Sequence, residues 1–409
     1  MFSKRIISML VVLSFISQTL VVVDTDSYSS VVVEDSSILE ELYGENGARS
    51  RSIENATLLK DINPGDAGSN PQSLFAHTDG NLYFSADNDS ASGGHSCWRS
   101  DGTEEGTYMV KDICTQYVGC DGIHSSLLSQ SSYYWPISVN DEYILFPAQN
   151  VSSNIELWRS DGTENGTYMV KDINPAVNGN EKNSNPRHFN HIADNKVIFS
   201  ASDGYYTHGY ELWVTNGTEE GTQLLKDINP GSDDSDIWHI IEMDDIYYFG
   251  ARDGSYEREL WRTDGTTNGT YRVTALSSGS DGLVDPGLPF GGSIIFVGDA
   301  DWQSPTGDTG KELYKYNPST NETTILKDFE EGSDDSDVQI KFAVNDKIVF
   351  SLTTDEYGPS LWTTDGTEEG ISLLFDPDGE NYQYYGSLLR HCLLYTSDAA
   401  DEGLGVDLG

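Results

Sequence analysis

Short runs of β-branched and aromatic residues, each bounded by Gly, Asn, Asp or Pro, succeed one another along most of this chain. Such runs predict strands, and the small residues between them predict turns. Over residues 186–228 the pattern predicts a first strand at 186–193, a turn at Asp194 and Asn195, then strands at 196–201, 210–215 and 222–228. The second strand of this set recurs at 82–86, 143–148, 246–251, 293–298 and 347–352, with Phe84, Phe146, Phe199, Phe249, Phe296 and Phe350 in nearly one slot. These runs are apolar at successive positions, the pattern of a sheet covered on both faces.

A polar phrase follows each second strand. In its fullest form it reads Glu156-Leu157-Trp158-Arg159-Ser160-Asp161-Gly162-Thr163, then Gly166-Thr167, then a run closing on Lys171-Asp172-Ile173. The tryptophan recurs as Trp98, Trp213, Trp261 and Trp362, with Tyr314 standing in once, at intervals of about fifty residues, which marks an array of like units. Asp161 suits an Asx-type turn, Gly162 and Gly166 suit positive φ, and the tryptophan suits packing between twisted sheets. The predicted class is all-β: a seven-bladed β-propeller of four-stranded antiparallel blades. Residues 57–62, TLLKDI, read as a lone fourth strand. Its pairing with strands near 384–390 would close the ring and remove the exposed sheet edges.

Composition narrows the partners. Among 409 residues, 23 Lys and Arg stand against 67 Asp and Glu, a formal net charge of -44. That excess repels phosphate backbones and anionic lipid, so no nucleic acid partner is expected. Lys4-Arg5 followed by the apolar stretch to Val23 reads as a signal peptide or anchor over 1–23. Export with cleavage is the expectation; an uncleaved anchor would be the sole membrane attachment. Residues 24–56 read as a disordered acidic linker and 57–391 as the β-propeller repeat domain. Residues 392–409, with CLLYTSDAADE and VDLG, resemble translated sequencing adaptor and are kept out of fold reasoning. Cys114 and Cys120 flank a short loop and could form a disulfide in an exported chain. Cys97 replaces the leucine of the repeat and reads as a small buried thiol.

The phrase Glu-Leu-Trp-x-x-Asp-Gly-Thr-x-x-Gly-Thr, as at 156–167, resembles the motif for which a family of exported prokaryotic repeat proteins is named. The resemblance covers residues 57 to about 375 and implies an extracellular propeller-like array without a transferable chemistry. Two repeats depart from the motif: the fourth ends in Thr274-Ala275-Leu276, and the fifth reads Leu313-Tyr314-Lys315-Tyr316-Asn317-Pro318, closer to a kelch-type strand and turn.

Candidate chemistry lies in acidic loops. Asp233, Asp234 and Asp236 recur as Asp334, Asp335 and Asp337 in two near copies of Gly-Ser-Asp-Asp-Ser-Asp, on the face that also receives the loops after the second strands. Clustered carboxylates in Gly-rich loops suit Ca2+, which takes six to eight oxygen ligands. Neither loop has the order of an EF-hand, and capping and solvation of turns explains the same residues. His188 and His191 are the one histidine pair with close spacing, a weak metal signal. The turn also resembles the structural Asp-box of sialidase propellers. Arg99, Arg159 and Arg262 fall in one repeated slot, which reads as decoration and not as a catalytic cluster. The expectation is a secreted or cell-surface, non-catalytic binding or adhesion module for an extracellular protein or glycan, with Ca2+ as its one candidate cofactor. A secreted carbohydrate-active propeller enzyme and a structural spacer are the alternatives.

Overall fold

The computed structural model describes residues 57–375 except 67, 89–94, 114–135, 151–153, 176–182, 194, 205–206, 256–257, 277–283, 301–306 and 355–357, together with the backbone of 9–13, 20–24 and 29–33. Those last three segments pair as an antiparallel three-stranded sheet. The expected disulfide between Cys114 and Cys120, the adaptor-like residues 392–409 and the strands near 384–390 lie outside the described residues.

The remaining strands form six four-stranded antiparallel sheets, each built from consecutive strands, and no helix occurs among the described residues. The chain divides into two compact bodies, residues 1–272 and 273–409. The first holds four of the sheets: Gln72–Ala76 to Tyr108–Lys111, Ile137–Val139 to Tyr168–Lys171, Arg187–Ile192 to Gln223–Lys226, and Trp238–Met243 to Tyr271–Arg272. The second holds two, Asp285–Phe290 to Glu322–Lys327 and Gln339–Val344 to Ser372–Phe375. This is the predicted all-β repeat, consistent with a propeller-like fold.

Second strands are buried on both faces, as at Tyr143–Gln149. Within each sheet the recurrent phenylalanine lies opposite the recurrent tryptophan, Phe146 across from Trp158 and Phe199 across from Trp213. Each tryptophan then packs outward against the preceding sheet: Trp158 meets Cys97, Val110 and Ile113, and Trp213 meets Leu157, Val170 and Ile173. One unit therefore cannot bury its own apolar face, and neighbours in the array complete it. Each aromatic side chain so buried removes on the order of 2 kcal/mol of apolar exposure from water.

Fourth strands are shorter than the sequence predicts. The run expected at 222–228 is a strand only over Gln223–Lys226, because the N–H of Ile228 leaves the ladder and donates to the carboxyl of Glu211 at 2.7 Å. Leu225 is bulged where the register shifts between Leu212 and Trp213, and both changes stop the pairing early. Residues 57–62 carry no strand, which corrects the sequence expectation. A strand exists through its ladder, and no described residue pairs with this segment. Even so, Ile62 packs on the cluster of Phe84, Ala86 and Trp98, and Lys60 Nζ donates to the Glu104 carbonyl at 3.0 Å. Lys111, in the same place of the next repeat, donates to the Glu164 carbonyl at 3.2 Å. The segment thus stands where a fourth strand preceding the first sheet would stand.

Candidate functional site

The Asp-Gly-Thr hairpin is a closed hydrogen-bond device. Asp161 Oδ1 accepts from the N–H of Thr163 at 2.9 Å and from its hydroxyl at 2.6 Å; Gly166 N donates to Thr163 Oγ1 at 3.0 Å, and Thr167 Oγ1 donates to the Thr163 carbonyl at 2.7 Å. The set repeats around Asp101, Asn216 and Asp264. These bonds hold the carboxyls of Asp101 and Asp264 below the usual carboxylate range, the threonine hydroxyl being the first cause. Gly166 is required: a Cβ there would lie 2.0 Å from the Asp161 carboxyl carbon.

The residues that read as decoration join neighbouring repeats. Arg99 donates to Tyr108 Oη at 2.6 Å, and Tyr108 in turn donates to the Gly162 carbonyl of the next hairpin at 3.1 Å. Arg159 lies over the ring of Tyr143, 3.9 Å from its centroid, and Tyr143 Oη donates to the Asn216 carbonyl at 3.0 Å. Lys171 Nζ reaches the Thr222 carbonyl at 2.8 Å. Sequence reasoning missed this role, although the shared slot of Arg99, Arg159 and Arg262 was its signal.

In the acidic loops the carboxylates of Asp234, Asp236 and Asp335 bond back to the protein. Asp234 Oδ1 accepts from Tyr210 N at 2.8 Å; Asp335 accepts from Lys311 N at 3.0 Å and pairs with its ammonium at 2.5 Å. Asp236 pairs with Arg258, with Arg252 3.6 Å away. Asp236 and Asp337 hold left-handed φ of 50° and 41°, while the side chains of Asp233 and Asp334 are exposed. The backbone at Asp233 and Asp334 presses on Gly209 and Gly310, where a Cβ would come within 2.8 and 2.3 Å of the two carbonyl oxygens. These loops are clasps onto the start of the third strand. Among the described residues no group of three or more His, Cys, Asp or Glu is placed to hold a metal ion. Cys97 is a fully buried thiol whose pKa burial pushes up to about 12, which makes it inert.

First strands differ from the others in being only partly buried, as at Arg187–Ile192 and Trp238–Met243, and the first strands of consecutive sheets meet one another within each body. They gather the polar groups that the hairpins do not use. His77 Nδ1 lies 2.7 Å from Ser138 Oγ on the neighbouring first strand, and both residues are buried. Burial lowers the His77 pKa, against the opposing pull of Asp79 and Asp141, so the ring is neutral at neutral pH. His188 and His239 sit at register shifts with φ of 58° and 46°, a left-handed geometry uncommon for such side chains. Burial, then Arg187, lowers the His188 pKa to about 3, and its Nδ1 is 3.0 Å from Ser200 Oγ. His188 and His191, three residues apart, do not converge on a common metal site among the described residues.

No family model matches this chain, and no curated protein matches it. Solved structures do. A puromycin hydrolase is 12% identical with a TM-score of 0.34, over 78% of this chain and 56% of that one. A prolyl endopeptidase is 12% identical at TM-score 0.43, over 91% and 50%, and oligopeptidase B from Leishmania major is 7% identical at 0.42, over 88% and 45%. The chain spans about half the length of these proteins. These neighbours, a hydrolase and peptidases, run against the expected non-catalytic binding or adhesion module. At TM-scores of 0.34 to 0.43 and identities of 7 to 12% the likeness carries no activity across to this chain.

Proposed function

We propose that the chain is the propeller part of a larger exported hydrolytic protein, with its first strands forming the surface that substrates pass. The observation that carries this reading is the meeting of partly exposed first strands from consecutive sheets, which carry Arg187, His188, His191, His239, Glu242 and Asp285, while second strands are sealed on both faces. Polar groups converging on partly exposed strands are what a passage for polar substrates needs. The finer architecture belongs to the same proposal: seven units, the seventh completed when residues 57–62 join strands near 384–390. The repeat-like docking of Lys60 and Ile62 on the first sheet supports it. Sequencing the full reading frame from the source DNA tests the proposal. A contiguous hydrolase domain is expected, and a frame that ends after the seventh unit would sink it.

A second reading, favoured by the 2.7 Å contact of Ser138 Oγ with His77 Nδ1, puts the chemistry on this chain. A hydroxyl bonded to a neutral imidazole is the arrangement of a nucleophile and its base. A serine-directed fluorophosphonate probe would then label Ser138, and labelling would vanish in S138A and fall in H77N. An unlabelled folded protein makes the contact a tie between sheets.

A further inference from the structure

In five hairpins the frame Asp-Gly-Thr-x-x-Gly, with Asn216 for the aspartate once, places Glu105, Asn165, Glu220, Asn268 or Glu369 before the second glycine, and all five are exposed. In the second and fourth sheets the run becomes Asn165-Gly166-Thr167 and Asn268-Gly269-Thr270, the Asn-x-Thr acceptor sequence for asparagine-linked glycans. Asparagine also serves turns, since it tolerates left-handed φ and bonds nearby backbone through its carboxamide. Neither use applies at these two positions. Asn165 and Asn268 have no left-handed φ, and their carboxamides form no hydrogen bond among the described residues. Glutamate fills the same place in the other three hairpins, so the turn closes without asparagine.

Other acceptor sequences have asparagines that the fold itself uses. Asn216 Oδ1 accepts from Thr218 N at 3.1 Å and Thr218 Oγ1 at 2.7 Å. Asn321 holds a φ of 56° and accepts from Tyr316 Oη at 2.9 Å. Asn150 Oδ1 accepts from Asn154 Nδ2 at 3.1 Å, and Asn88 Nδ2 donates to Met109 Sδ at 3.4 Å. Asn55 lies outside the described residues. The threonine of the sequence, which the acceptor motif requires, is sealed once the hairpin is closed. Thr167 is 0% exposed, its Oγ1 2.7 Å from the Thr163 carbonyl and 2.7 Å from Ser160 Oγ; Thr270 is 1% exposed with the same bonds to Thr266 and Thr263. The folded hairpin thus holds the asparagine out in solvent and hides the hydroxyl that marks it.

We propose that Asn165 and Asn268 carry asparagine-linked oligosaccharides, attached during export before their hairpins close. This rests on the export of the chain in the reading above. The donor is an oligosaccharide on a lipid diphosphate. Asparagine Nδ2 bonds to the anomeric carbon, the bond from that carbon to the diphosphate oxygen breaks, and the diphosphate leaves with the electron pair while the amide gives up one proton. The side chain keeps one N–H and its carbonyl, and no bond of the folded hairpin is lost, because none involves it. Each hairpin joins the third and fourth strands, toward the sheet edge opposite the first strand. The glycans therefore cover the hairpins of the second and fourth sheets and leave the first strands open.

Fractionation of the source cells and medium, followed by mass spectrometry of intact peptides from the isolated chain, tests both the site and the export. An oligosaccharide on the peptides of Asn165 and Asn268, in chain recovered outside the cytosol, is the expected result. Exported chain with bare asparagine at either position overturns that site and leaves the exported reading standing; chain confined to the cytosol overturns both. The order of events has its own measurement. Unmodified chain, made in a bacterium without the transferase and folded, is incubated with oligosaccharyltransferase and a lipid diphosphate oligosaccharide beside a peptide of residues 161–170. The peptide should be modified at Asn165 and the folded chain should not. Equal modification of the two overturns attachment before closure.

Discussion

Lys111 Nζ donates to the carbonyl of Thr167 at 2.6 Å, and this bond joins the fourth strand of one sheet to the hairpin of the next. The same ammonium also reaches the Glu164 carbonyl, so it closes the hairpin of its neighbour and not its own. Lys171 repeats the device, donating to the Thr222 carbonyl at 2.8 Å, while in the second body Lys315, in the arginine slot of the third strand, donates to the Gly366 carbonyl at 3.1 Å.

Replacing Lys111 by Met keeps the aliphatic stem and removes the charged donor. A loss of about 1–2 kcal/mol in unfolding free energy is expected from urea titration, since the bond is charge-assisted and only partly buried. A change within experimental error would show that the stitching between repeats is passive.

The hairpin should tolerate no side chain at its second glycine. G166A would place a methyl group 2.0 Å from the Asp161 carboxyl carbon, so the Asx turn must open. A loss of about 2 kcal/mol or more is expected, and D161A should recover part of it in the double variant. Additive losses from the two substitutions would disprove the clash.

Trp213 and its counterparts bury an indole N–H for which no protein acceptor stands within reach among the described residues, as for Trp98, Trp158 and Trp261. W213F should therefore cost less than about 1.5 kcal/mol, because it removes an unpaired donor together with some area. W213A leaves a cavity between two sheets and should cost about 3–5 kcal/mol. Tyr314 shows that the slot accepts another ring, its Oη bonded to Thr309 at 2.8 Å.

Two sets of acids act in opposite senses on stability. Glu156, Glu211 and Glu312 titrate near 8 when folded and near 4.5 otherwise, so the stability tied to their protonation is full below 4.5 and lost as pH rises through 8. Asp101, Asp264 and Asp365 lie below 3.8 when folded, so their contribution is present above 3.8 and lost on further acidification. Thermal unfolding followed across pH should show Tm rising from about pH 8 toward about 4.5 and turning down below about 3.8. A Tm that climbs from acid to neutral pH would contradict this.

Chelation provides the last check. Asp234, Asp236 and Asp335 are occupied by Tyr210, Arg258 and Lys311, so removal of divalent ions should shift Tm by no more than a degree or so. A larger fall, reversed by Ca2+, would return the acidic loops to metal binding. D335A should lower Tm with or without chelator, because it unlocks the loop from the third strand.

The sequence alone determined the all-β class, the repeat and the second strands, because each rests on local chemistry: apolar runs, turn residues, and a tryptophan phrase that recurs every fifty residues or so. It also told that Asp161 closes a turn and that Cys97 packs as an apolar residue. Only the tertiary structure decided what the glutamate, arginine and lysine of the phrase do, since their partners lie in the loop after the fourth strand or in the next repeat. Glu156 bonds Ser184 twenty-eight residues away, and Lys111 bonds Thr167 fifty-six away. The pairing of His77 with Ser138 across two first strands was likewise invisible, because it depends on how one sheet is laid against another and not on spacing along the chain.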